Sequence, residues 1–128
     1  MEKDIIIENI YSCLKKIKES KGDINIINKQ KLFIKSEIED YTNLIEGKEV
    51  NIVLMEEKEE EKLNTPINSI KNKLFTLDDV YGEADYLAYR TKVRIEIIDI
   101  VDDYVEALFA YTIDDFTKVK GKKMNDNK

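Results

Sequence analysis

Residues 93–111 read Val-Arg-Ile-Glu-Ile-Ile-Asp-Ile-Val-Asp-Asp-Tyr-Val-Glu-Ala-Leu-Phe-Ala-Tyr, and their spacing decides the fold. Val93, Ile97, Ile100, Tyr104, Ala107 and Tyr111 repeat at 4-3-4-3-4, with Ile98, Val101, Val105 and Leu108 beside them at 3-4-3. Steps of three and four bring side chains to one side of an α-helix. Two adjacent stripes make a face broader than a two-stranded coiled coil needs, so this helix is expected to contact two neighbours at once. The pattern runs from about Ala84 to at least Ala110, and to Lys118 unless Thr112 and Asp115 cap a separate final helix.

Toward the N-terminus the same period recurs. Ile7, Ile10, Leu14 and Ile17 form one row in residues 3–20, with Ile6, Ile10, Cys13 and Ile17 beside it. Ile27, Ile34, Ile38, Tyr41 and Ile45 share a face in residues 25–46. Gly22 and Gly47 fall just past the two ends, where helices take a left-handed residue. The short loop between the two helices predicts an antiparallel αα-hairpin. Residues 48–65 are ambiguous, since Val50 to Met55 reads as a short strand or as the start of a helix. Thr65 as N-cap and Pro66 at the first helical position then open a helix over about 66–75, with Ile67, Ile70 and Leu74 on its apolar face. Thr76 and Asp79 are spaced to open one further turn.

The expectation is an all-α protein: a small helical bundle with an N-terminal αα-hairpin and a long C-terminal helix. Residues 1–117 form a single helical domain, and 118–128 a disordered basic tail. The chain has 128 residues, four glycines and one proline, which suits one helical domain and disfavours a loop-rich β fold. The N-terminal residues Met1-Glu2-Lys3-Asp4 and the absence of a long apolar run predict neither a signal peptide nor a membrane span. A cytoplasmic protein is expected.

Composition narrows the chemistry. Histidine is absent, which removes Ser-His-Asp and Cys-His catalysis and any imidazole base. A single cysteine, Cys13, removes intrachain disulfides and the usual zinc sites, and its place on an apolar row reads as packing. Carboxylates remain. Glu96, Asp99, Asp103 and Glu106 fall within about 80° of arc on the long helix, with Asp102 nearby, and carboxylates so spaced can hold Mg²⁺. Glu96, Asp99 and Asp103 are the candidate metal ligands. The same wheel sets them opposite the apolar stripes, where a solvated face is the first expectation.

One family pattern touches these residues. Glu56-Glu57-Lys58-Glu59-Glu60 contains two E-x-x-E readings, and Glu96-Ile97-Ile98-Asp99 is an E-x-x-D. Over about ten residues this resembles the MazG-type NTP pyrophosphohydrolases. The resemblance implies an all-α, Mg²⁺-dependent nucleotide pyrophosphohydrolase. The Glu56–Glu61 run has no interleaved apolar residues to bury it against a partner helix, so a solvated run is the expected reading.

Charge is unevenly spread. Residues 76–116 hold eleven acids and three bases, while residues 117–128 hold five lysines and one aspartate. An acidic, tyrosine-bearing surface can imitate nucleic acid toward a protein partner. The tail alone supports no strong direct nucleic-acid binding. The leading expectation is therefore a non-catalytic protein-interaction module without a cofactor, of the size and composition of phage or mobile-element accessory and inhibitor proteins. Its expected partner surface comprises Ile95, Asp102, Glu106, Phe109 and Ile113. The long helix also makes a homodimer an expectation, alongside a purely structural assembly role.

Overall fold

A computed structural model describes residues 2–55 and 64–110, with α1 over Glu2–Glu19, α2 over Ile24–Ile45, α3 over Asn64–Val80 and α4 over Tyr86–Phe109. Helices account for about four fifths of the described residues and none is in a strand, so the protein is a small all-α bundle.

The α1–α2 hairpin closes as the sequence requires. Lys21 and Gly22 both take positive φ, 57° and 82°, which turns the chain sharply. Asp23 then caps α2, its Oδ1 accepting from the N–H groups of Asn25 at 3.0 Å and Ile26 at 3.4 Å. Of the two rows on α1, the one through Ile6, Ile10, Cys13 and Ile17 is fully buried with Leu14, while Ile7 is only partly covered. On α2, Ile27, Ile34, Ile38 and Tyr41 complete that half of the core.

Cross-helix pairs fix the directions. Arg90 reaches Glu46, Arg94 reaches Glu39 and Asp102 reaches Lys31, so α4 runs antiparallel to α2. Asp78, near the end of α3, meets Lys3 at the start of α1 and Tyr41 near the end of α2. Thus α3 is antiparallel to α1 and parallel to α2. The connection from α2 to α3 must therefore travel back along the bundle, a long crossover instead of a tight turn.

Part of that crossover is tied down by one side chain. Asn9 on α1 is 1% exposed. Its Nδ2 donates to the Val53 carbonyl at 3.0 Å and to Glu37 at 3.2 Å, and its Oδ1 accepts from the Met55 N–H at 2.8 Å. Residues 48–55 form neither a helix nor a paired strand; the side-chain amide takes the place of a neighbouring strand.

Two expectations need correction. First, α3 continues through Thr76 to Val80 without a restart. Thr76 Oγ1 donates to the Asn72 carbonyl at 2.9 Å, a mid-helix back-bond in place of a cap, and Leu77 extends the buried row. Second, the buried stripe of α4 is neither heptad-like row. It is Val93, Ile97, Val101 and Val105, at steps of four, with Tyr86 at its start. Such a row winds around the helix by about 40° per step, which suits neighbours lying across α4 at an angle. Ile100 and Tyr104 become flanks, and Ala107 and Leu108 face outward. The proposed break near 111–112 and the tail lie outside the described residues.

Candidate partner-binding face on α4

The α2–α4 seam explains much of the charge pattern. Going along α2, the acids Glu46 and Glu39 lie at one end and Lys31 and Lys35 at the other. Along α4 the order is reversed in space, with Arg90 and Arg94 first and the acids after Glu96. Glu46 is the strongest node. It accepts from Arg90 at 2.5 Å and from the Tyr86 hydroxyl at 3.1 Å, and Lys48 lies 3.2 Å away. Burial works to raise the Glu46 pKa, but these donors outweigh it and hold it below the ordinary carboxylate value. Burial, with Glu46 alongside, pushes the Tyr86 hydroxyl up to about 12. At the other end of the seam, Asp102 Oδ1 lies 2.5 Å from Lys31 Nζ. The contact is a largely buried ion pair.

Asp102 thus corrects an expectation. It is 8% exposed and is no part of an open partner surface. It stands at the edge of the apolar arc, where Lys31 of α2 supplies the opposite charge. Phe109 is likewise partly buried against the core, and Ile113 lies outside the described residues. Ile95 and Glu106 do face outward, Ile95 at 56% exposure.

The candidate metal residues are not brought together. Glu96 is half-buried and engaged by Lys73 of α3 at 3.1 Å, while Asp99 and Asp103 point outward. Among the described residues no group of three metal-ligating side chains converges. The Glu56–Glu61 run lies outside the described residues, so the E-x-x-E reading finds no geometry.

What the fold does assemble is a continuous outward face on α4: Ile95, Asp99, Asp103 and Glu106, each exposed. Along its edge runs an open groove of about 440 Å³, lined by Lys35 of α2 and by Arg94, Ile95, Ile98 and Asp99. Arg94 is held by Glu39 at 3.2 Å. Lys35 and Arg94 were not singled out from the sequence, and Ile98 was read there only as part of an apolar stripe. The signal that could have found them is the reversed order of charge on α2 and α4, which predicts which residues face each other.

No protein family, curated protein or solved structure matches this chain. No described helix is long and apolar enough to cross a membrane.

Proposed function

We propose that this chain is a non-catalytic protein-interaction module whose partner sits on the outward face of α4. The observation that carries this reading is Ile95. A large aliphatic side chain stands 56% exposed midway along a helix whose opposite side already fills the core. Around it lie the exposed acids Asp99, Asp103 and Glu106 and the groove beside Ile98. An apolar centre with a charged rim is the arrangement of a protein contact. The fold does not require it, because Ile95 contributes nothing to the buried row. An accessory or inhibitor role of the kind played by small phage and mobile-element proteins accords with the size and acidity, and a cytosolic setting with the lone buried cysteine.

A photo-crosslinking residue placed at Ile95 tests the proposal in the native cell, with the same residue at exposed Ser36 of α2 as control. A discrete heteromeric adduct from position 95 alone is expected, weakened when Asp99 and Asp103 are changed to Lys. Absence of that adduct, or equal adducts from both positions, would overturn the reading.

A further inference from the structure

We propose that residues 51–55 present an open strand edge that takes an extended, lysine- or arginine-bearing segment of another protein. The edge lies against α1 and α2 and stands whether or not the α4 face is a partner surface.

Backbone geometry comes first. With one side-chain amide, Asn9 bonds the Val53 carbonyl at 3.0 Å and the Met55 N–H at 2.8 Å. A carbonyl and the N–H two residues on point to the same edge of an extended chain, and a neighbouring strand binds such a pair. One edge is therefore filled. The N–H and C=O of Leu54, between them, turn the other way, and so do those of Ile52. None of these four groups has a hydrogen-bond partner among the described residues. Ile52 packs on the core and Asn9 is 1% exposed, so the segment is held in place before anything binds.

The side chains suit the same use. Residues 50–55 carry no charge and no proline, the two devices that commonly blunt a bare edge. Val53, Leu54 and Met55 are 68%, 39% and 36% exposed. In strand addition the main chain supplies the bonds and alternate side chains select the partner.

Charge chooses the occupant. The Glu37 carboxylate accepts from the same Asn9 amide at 3.2 Å, which sets it beside the segment, and Asp40 follows one turn along α2. Glu49, exposed, precedes it. Glu37, Asp40 and Glu49 have no ion pair among the described residues. An open groove of about 550 Å³ leads into the segment, lined by Glu2, Leu44, Lys48, Glu49, Val50 and Asn51. Its one cation, Lys48, is paired with Glu46 at 3.2 Å. The fitting occupant is an extended stretch with aliphatic residues at alternate positions and lysine or arginine between them. A second copy fits poorly, because it would bring the same acids, Glu37 and Glu49, to the same seam.

The test uses the full chain and a capped seven-residue peptide alternating lysine and valine. The peptide should shift the backbone amide signals of Ile52 and Leu54 saturably and leave those of Ile95 and Asp103 in place. The same peptide N-methylated along its backbone should bind at least about tenfold more weakly, since the main-chain donors are gone. A peptide with glutamate for lysine should also bind at least about tenfold more weakly. Leu54→Pro removes an outward N–H and spares both bonds to Asn9, so it should keep the helical circular dichroism and weaken binding about fivefold. No saturable shift, or equal binding by the N-methylated or glutamate peptide, would overturn the inference. So would concentration-dependent shifts of Ile52 and Leu54 in the protein alone, which would give the edge to a second copy. If the peptide binds as stated and crosslinking from position 95 captures nothing, the strand edge stands and the α4 reading falls.

Discussion

Glu46 closes α2 and receives α4 with one carboxylate. Its side chain is 13% exposed and holds Arg90, Tyr86 and Lys48 at once. Its pKa in the folded protein lies below the unfolded value, so the stability it contributes is present above about pH 4.5 and is lost as pH falls through the folded value. Glu46→Gln should therefore lower stability at pH 7 by about 1–2 kcal/mol, the scale of a charge-assisted hydrogen bond. The gap between variant and wild type should narrow as pH falls below about 4.5 and close once pH is under the folded value, where both carry a neutral side chain. Urea unfolding at a series of pH values measures this, and a gap that persists unchanged at low pH would refute it. Neither Glu46 nor Asn9 stood out in the sequence, for a physical reason. Both act through partners about forty residues away, Arg90 for Glu46 and Val53 for Asn9, and local spacing carries no record of such pairs.

At the scale of elements, local periodicity was enough to place all four helices. Each buries one side, and burial of one side leaves a repeat of three and four. The caps were also legible, because Gly22 and Gly47 meet a local demand for positive φ that few other residues satisfy. What the repeat could not settle is which of two adjacent rows is central. That depends on the crossing direction of neighbours, and for α4 the answer was the row Val93, Ile97, Val101 and Val105, drawn from both. The same limit misplaced Asp102: a helical wheel shows an acid at the margin, and only α2 shows Lys31 waiting there. The pair tests the seam. Breaking a buried ion pair costs far more than replacing both members. Asp102→Ala should lose about 3 kcal/mol, and the double change Lys31→Met with Asp102→Leu should return to within about 1 kcal/mol of wild type. If the single and double variants unfold at the same urea concentration, the seam is not a coupled contact.

Over the whole molecule the crossover matters most. Because α2 and α3 run in the same direction, the chain cannot be divided into two hairpins joined at one end. The described part of the α2–α3 connection, residues 46–55, is fastened to α1 by Asn9 through Val53 and Met55. At one end Asp78 joins three helices, bonded by Tyr41 at 3.2 Å and paired with Lys3 at 3.2 Å, while Lys3 also lies over the Tyr41 ring. Burial, reinforced by Asp78, pushes the Tyr41 hydroxyl well above its ordinary pKa, so this node stays intact through neutral pH. Such cross-ties argue that the four helices open together and not one at a time. Cys13 reports on this directly, since it is fully buried in the core row of α1 and its thiol meets reagent only when the bundle opens. Thiol labelling under native conditions should be slowed at least about 10³-fold relative to the unfolded chain, the scale of a small domain's folding equilibrium. In urea, the onset of labelling should coincide with the loss of helical circular dichroism. Rapid labelling before that transition would mean that α1 swings free by itself, and the crossover would then be a tether instead of a strut.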